Sequence, residues 1–499
     1  MLLMPFFVGV PLLGAFLNSI LGKISDRISD FIGNLVPATL VVLSFLSLFT
    51  LKSLNFTPFV YKMAGWVPPF GICFVLDGLS ILMLITVNII ALTATIFSIP
   101  YMEKYTDKWK YYTLFLLMLT AMNGAVITGD IFNLFVWLEI GAISSYALVA
   151  FGTEQEELEA SFKYAVMSSS ASLFILIGIG FLYSYTSTLN MADIGKTLLE
   201  KPNSTLVGFV SVLFLLGFGL KSALVPFHSW LPDAHPSAPA PISAMLSGVL
   251  IKSLGVYALT RVIFNIIGTT QLFLEILVIL GSISMVVGVL LALYQWDYKR
   301  LLAYHSISQV GYIILGIGLG TPFGILGGLF HLVNHSVFKS LLFLTSGAVE
   351  YTTGTRDLQK MGGLSTKMPV TGNTSLIASM SIAGIPPFNG FWSKLIIVIA
   401  CIQANKFWLA LIAIIVSILT LASFLKIQKY AFFGDLKEGL QSIKEAPVLM
   451  CISMIILAGL CIFLGLVLLP DIKGFFLDPA VKVLENGVEY SRIVFKNIR

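Results

Sequence analysis

Charge is scarce in this sequence. Asp, Glu, Lys and Arg make up 11% of its 499 residues, less than half of the roughly 25% found in an average soluble protein. That scarcity excludes a water-soluble globule, and 57% hydrophobic residues exclude a disordered chain. The basic excess is small, 30 Lys and Arg against 25 Asp and Glu, so no polyanion-binding surface and no nucleic-acid partner is expected. Cysteine is also sparse. Cys73, Cys401, Cys451 and Cys461 each sit in an apolar run with no CxxC spacing, which argues for core packing and against disulfides or zinc and iron–sulfur ligation. Five scattered histidines do not offer the facing axial pair that a haem would use. No metal or cofactor is expected, and redox catalysis is not expected to reside on this chain. Finally, no Lys or Arg precedes Lys23, so the first apolar run lacks the basic start of a cleavable signal and reads as a retained helix.

Long apolar runs are what the sequence has in abundance. The mean hydropathy is +0.94, and one membrane-spanning helix takes roughly 20 apolar residues. Candidate spans lie at 2–21, 30–50, 72–99, 111–129, 131–151, 161–186, 204–227, 239–263, 271–293, 301–320, 322–347, 370–402, 407–433 and 447–470. The runs are continuous rather than alternating, which excludes a β-barrel. The fold expected is an all-α polytopic membrane protein of about fourteen transmembrane helices, seated in a lipid bilayer. Loops after odd-numbered spans hold well over twice as many Lys and Arg residues as loops after even-numbered spans. Positive charge is retained on the cytoplasmic side, so odd loops are expected inside and both termini outside.

Four lysines fall in neither loop set: Lys221, Lys252, Lys339 and Lys394 lie within apolar runs. A lysine near a helix centre costs roughly 2.5–3.5 kcal/mol on insertion scales, so its default reading is functional; snorkelling to the interface is the alternative. Glu139 is a mid-span carboxylate, whereas Asp77, Asp130, Glu275 and Glu350 stand near span ends. Lys221 lies in LLGFGLKSALVPF, with Pro226 five residues on, and Lys394 follows Pro386 and Pro387 in SIAGIPPFNGFWSK. Breaks of this kind line polar cavities, and their opposite order about the two lysines is what an inverted repeat would produce. His331, His335 and Lys339 recur every four residues, with Asn334 between them, and so share one helix stripe. A proton relay and a set of helix–helix hydrogen bonds both account for that stripe, and Lys339 also has the reach to snorkel. His305 heads another span near its cytoplasmic end, where inward proton delivery and a local hydrogen bond are both open. The serines from Ser168 to Ser172 read as close helix packing. For His228, Asp233 and His235 a binding role is open, with an ordered proline-rich turn between two spans the favoured reading; Thr153 with Glu156 reads as a capping box, and the tail from 471 as a segment lying on the membrane surface.

A carboxylate, several buried lysines and a histidine stripe spread over five spans suggest a proton path rather than a substrate pocket. On this reading Glu139 pairs with Lys221, and their separation releases a proton that passes by Lys252 and His331 to Lys394. His335, His305 and Lys339 are further candidates. Four blocks then carry a resemblance: GDIFNLFVWLEI, KSALVPFHSWLPDAHPSAPAPISAMLSGVLIKSLGVYALTR, HLVNHSVFKSLLFLTSG and GIPPFNGFWSK. With them the chain resembles the proton-translocating, antiporter-like subunits shared by Mrp-type cation/proton antiporters, respiratory complex I and membrane-bound hydrogenases. Its segment AYHSISQVGY looks most like the Mrp D-type and hydrogenase-linked branch. The resemblance implies fourteen helices with helices 7 and 12 broken, N-terminal helices in 1–110, inverted five-helix repeats in 111–263 and 271–433, and a last helix and tail in 447–499. It places the family's ionisable residues on Glu139, Lys221, Lys252, His331 and Lys394. It further implies no redox cofactor and a place among other membrane subunits, moving H+ with Na+ antiport or coupled to a redox module. A complex I-type proton-pumping subunit and a self-sufficient secondary transporter are the alternatives.

Overall fold

The computed structural model describes residues 3–496. The chain is built almost wholly of helices: α1 (Phe6–Leu21), α2 (Asp26–Ser53), α3 (Gly78–Tyr101), α4 (Lys108–Ile127), α5 (Ile131–Val149), α6 (Gln155–Thr186), α7 (Met191–Glu200), α8 (Ser204–Lys221) and α9 (Leu231–Ser237). They continue with α10 (Ala240–Ile267), α11 (Gln271–Leu293), α12 (Tyr298–Gly318), α13 (Pro322–Thr353), α14 (Pro369–Ala383), α15 (Asn389–Gln403), α16 (Phe407–Ile427) and α17 (Val448–Phe463). Three short helices close the chain: α18 (Pro470–Phe476), α19 (Asp478–Glu485) and α20 (Tyr490–Lys496). Between α2 and α3 stands a small antiparallel hairpin of β1 (Phe59–Lys62) and β2 (Cys73–Leu76), with Phe59 opposite Leu76. Its strands are too short for an apolar-run reading to register.

Helix starts follow from residue chemistry. Asp77, Asp130, Asn190, Asn203, Thr270, Asp297 and Thr321 each accept a backbone N–H of the following first turn, which satisfies donors that a helix N-terminus otherwise leaves bare. The box expected at Thr153 and Glu156 forms one residue later, between Glu154 and Glu157. Thr153 itself has φ +62° and so turns the chain instead of capping it. Among the described residues, eleven helices are long and apolar enough to cross a membrane. The chain is a multi-pass membrane protein. Helix α13 falls outside those eleven because its His, Asn and Lys stripe dilutes its apolar character, and the candidate span 370–402 is two helices, α14 and α15, parted at the proline pair.

α3, α10, α12 and α13 are buried along most of their length, while α1, α2, α6, α11, α16 and α17 carry outward apolar side chains such as Phe16, Phe31, Phe162, Leu173 and Ile418. Such an outer surface suits lipid and partner helices. α11 and α12 pack backbone to backbone: a Cβ on Gly311 would sit 2.5 Å from the Gly281 carbonyl oxygen, and one on Gly288 2.5 Å from the Ser308 nitrogen. Odd-numbered loops meet at one end, where Arg356 pairs with Asp297 at 3.2 Å and Lys163 with Asp233 at 3.2 Å. The C-terminal tail does not form a free amphipathic surface segment. Ala480 and Leu484 are buried, and Asn265 of α10 donates to the Val483 carbonyl at 2.7 Å. Arg261, near the end of α10, is buried and grips Asp77 through two contacts of 2.8 and 2.9 Å.

Candidate functional site

The line of ionisable groups begins on α5. Its outward stripe is apolar at Phe132, Val136 and Ile143, and Glu139 shares that stripe with its side chain 32% exposed. The inner edge of the carboxylate faces α6 and α8: Ser172 donates to it, and the Lys221 ammonium lies 3.8 Å away. Lys221 also donates to Ser168 Oγ at 3.2 Å. Ser168 and Ser172, read from sequence as packing residues, therefore face the ion pair from one turn of α6.

Lys221 is the last residue of α8, and the chain breaks there because Ala223 adopts φ +54° and Pro226 has no N–H to continue the ladder. The freed groups are accounted for. The Leu220 carbonyl accepts Trp230 Nε1 at 3.0 Å, and Val225 N–H donates to Ser284 Oγ at 3.0 Å. A cavity of about 10 Å³ bounded by Lys221, Ser168, Leu250, Ile251 and Leu254 separates the lysine from α10, room for about one water. Across it, α10 winds as a π-helix over Leu246–Tyr257, a geometry frequent at functional sites. Lys252, fully buried within it, donates to the Ser247 carbonyl, and Ser247 Oγ lies 2.7 Å from Ser306 Oγ on α12.

α13 brings the next groups. His331 is held at both nitrogens, by Ser393 Oγ at 2.9 Å and Gln309 Oε1 at 3.1 Å. His335 is fully buried with neither nitrogen hydrogen-bonded among the described residues, its ring 6.4 Å from that of His331 and nearly parallel. Lys339 does not snorkel. It is fully buried and donates to the Leu302 carbonyl on α12. His305 bonds Ser423 Oγ at 2.8 Å, leaving its other nitrogen free. Lys394, on α15, reaches back across the proline break to the Ile382 carbonyl of α14 at 2.7 Å and to Ser417 Oγ at 3.3 Å, over the Tyr312 ring at 4.8 Å. Asn334 and Asn389 exchange hydrogen bonds of 3.0 and 3.1 Å that bind α13 to the same break.

The eight sequence-selected residues thus lie on α5, α8, α10, α12, α13 and α15. One group carries Glu139 with Lys221; the other joins Lys252, His331, His335, Lys339, His305 and Lys394. Sequence reading passed over Ser168, Ser172, Gln309 and Ser393 as partners. Gln309 and Ser393 were legible in part, being polar residues inside AYHSISQVGY and FWSK. Away from this line, burial pushes Asp77 up, but the Arg261 guanidinium and its hydrogen bonds outweigh that and hold the carboxyl below its ordinary range.

The family described as NADH:quinone oxidoreductase/Mrp antiporter, transmembrane, matches residues 128–420, and the N-terminal family of complex I chain 5 matches residues 68–112. The chain is 35% identical over 431 residues to the D-type subunit of the Na(+)/H(+) antiporter of Alkalihalophilus pseudofirmus, covering 85% of this chain and 87% of that one. It is 34% identical to the D-type subunit of the Na(+)/H(+) antiporter of Bacillus subtilis, covering 86% of each. Among solved structures it superposes with a TM-score of 0.91 and 29% identity on a chain of the Mrp complex of Dietzia, over 100% of this chain and 99% of the other. A chain of the archaeal membrane-bound sulfane sulfur reductase gives 0.89 and 29% over 98% and 99%. This protein belongs to the NADH:quinone oxidoreductase/Mrp antiporter family of multi-pass membrane proteins.

Proposed function

We propose that the chain moves protons across the cell membrane as an Mrp D-like member of a multisubunit ion-translocating complex, along Glu139, Lys221, Lys252, His331 and Lys394. The observation that carries this reading is the buried line itself: ionisable side chains from separate helices, held by serines, amides and main-chain carbonyls inside an apolar bundle. Lysine suits the task because its ammonium releases a proton once desolvated, as a guanidinium does not. His335 and Lys339 extend the line, and His305 joins it to the odd-loop end.

The exposed edge of Glu139 supports partner subunits. A carboxylate on a lipid-facing stripe is costly, so a polar group of a neighbouring membrane protein is expected to cover it, which a self-sufficient transporter would not provide. In this reading 111–263 and 271–433 are inverted repeats, all fourteen candidate segments cross the membrane, and odd loops face the cytoplasm with both termini outside. The likeness to both Na(+)/H(+) antiporter subunits and a sulfane sulfur reductase chain leaves cation antiport and redox coupling as the two drivers, which the partner set distinguishes.

The test is native purification, partner identification and reconstitution into vesicles carrying a pH-sensitive dye, with Lys394→Ala alongside the unaltered chain. The expected result is co-purifying membrane subunits, proton uptake by the complex, and loss of uptake in an assembled Lys394→Ala complex. Uptake at the unaltered rate in that variant, or a folded and active chain without partners, overturns the proposal.

A further inference from the structure

His235 is fully buried in α9, and among the described residues neither of its ring nitrogens has a hydrogen-bond partner. Leaving a buried polar group unpaired costs roughly 1–3 kcal/mol. An apolar side chain would fill the same space between Trp230, at 6.2 Å between ring centres, and Phe343, at 5.7 Å, without that cost. The same Phe343 ring has the Lys339 ammonium of the buried line over it at 5.5 Å, which brings His235 to within one side chain of that line. The surroundings on the other side of the same short helix are quite different. There Asp233 and Ser237 line an open vestibule of about 530 Å³, together with Glu156, Asp297, Arg300 and Arg356. α9 is the wall between the two, and it is pinned. Arg356 donates to the Pro236 carbonyl at 2.7 Å, Lys299 to the Ala238 carbonyl at 3.2 Å, and Ser243 to the His235 carbonyl at 2.7 Å.

We infer that His235 is the intake group of the path, taking protons from the charged vestibule at the odd-loop end and delivering them to the buried lysines. The inference rests on the relay proposed above. Two free nitrogens are what delivery requires of a neutral imidazole. A proton from vestibule water forms an N–H bond at one ring nitrogen, and the N–H bond at the other breaks as its proton passes to the unprotonated amine of Lys252 or Lys339. The ring is left neutral in its second tautomer and the lysine becomes an ammonium, so charge and protons balance.

The experiment compares His235→Ala and Lys394→Ala in the reconstituted complex, with and without imidazole. Loss of His235 is expected to slow uptake about a hundredfold, the low end of what a placed acid–base group contributes, and imidazole is expected to restore it. A purely structural role would show no such rescue. Lys394→Ala at the unaltered rate would sink the relay itself. Slow Lys394→Ala with His235→Ala at the unaltered rate would sink only the intake assignment, as would an assembled, slow His235→Ala complex that imidazole does not restore. If His235→Ala does not assemble, the unaltered complex still decides. Ala234–His235 is the sole Ala–His pair in the sequence, so carbonyl-labelled alanine with nitrogen-labelled histidine isolates its magnetic-resonance signal. A ring fixed in one tautomer and one protonation state over the whole pH range of transport overturns the inference.

Discussion

Replacing Glu139 by Gln removes one charge and little else. The amide keeps the length of the side chain and can still accept from Ser172. What is lost is the attraction to the Lys221 ammonium at 3.8 Å. At about 4 Å and an effective dielectric near 20, that attraction is about 4 kcal/mol, or roughly three powers of ten in an equilibrium constant at about 1.4 kcal/mol per decade. The exposed 32% of the Glu139 side chain lets a partner's polar groups screen the pair, so the smaller end applies, a fall of roughly one to two decades in proton uptake. The assay is dye-monitored uptake into vesicles, normalised to assembled complex counted on a native gel. Glu139→Asp retains the charge and is expected to fall between the two. Uptake within about twofold of the unaltered complex in Glu139→Gln would refute the argument, because the ion pair would then carry no part of the path.

Lys221→Arg preserves the charge but substitutes a group that stays protonated in proteins, so it is expected to assemble and to transport no better than Lys221→Ala; substantial uptake by the Arg variant would show that charge alone suffices. Asp77→Asn leaves Arg261 buried without its counter-ion, and breaking such a pair typically costs about 3–5 kcal/mol, read as a lower melting temperature or yield. Asp77→Asn combined with Arg261→Gln is expected to lose less than the two single losses added, and strict additivity would rule out the pairing. Gly311→Leu drives a side chain into the Gly281 carbonyl and is expected to part α11 from α12, costing at least the roughly 1–3 kcal/mol of an overpacked core; a melting temperature unchanged from the parent would contradict the close approach.

Much of the line was legible because burial of charge in an apolar run is visible in one dimension. Lys221, Lys252 and Lys394 announce themselves by their neighbours, and His331, His335 and Lys339 by a four-residue period that a helix turns into a stripe. What a sequence does not carry is direction across space. Ser168 and Ser172 have the composition of a packing face, and only the approach of α5 and α8 turns that face toward a carboxylate and an ammonium. Arg261 stands two residues from the end of the expected span 239–263, where an arginine suggests an interface residue, and its partner Asp77 is 184 residues away. Lys339 was open to snorkelling until α12 placed the Leu302 carbonyl over it. His235 was hidden by prolines: Pro232 and Pro236 suggest an ordered turn between two spans, and what the sequence does not show is that α9 folds around them and carries the imidazole inward.

The way these lysines are solvated bears on how a proton can leave them. An ammonium held by a carboxylate leaves an anion behind when it loses its proton, and a buried unpaired anion is costly. Lys252, Lys339 and Lys394 are held instead by the main-chain carbonyls of Ser247, Leu302 and Ile382, so each becomes a neutral amine beside neutral groups. Ile382 belongs to the last turn of α14, where the negative end of the helix dipole takes the place of a counter-ion; the break at Pro386 and Pro387 is what turns that end toward Lys394. Lys221 occupies the matching place at the C-terminal end of α8, and of the lysines in the line it is the one with a carboxylate beside it. In the proposed relay, charge is therefore anchored at the Glu139 end and mobile beyond it. Like charges held in an apolar bundle repel one another strongly, so two ammonium groups present at once would oppose each other. In the proposed relay a proton arriving at one lysine favours departure from the next, so that an otherwise apolar bundle would pass charge along its length without ever holding much of it.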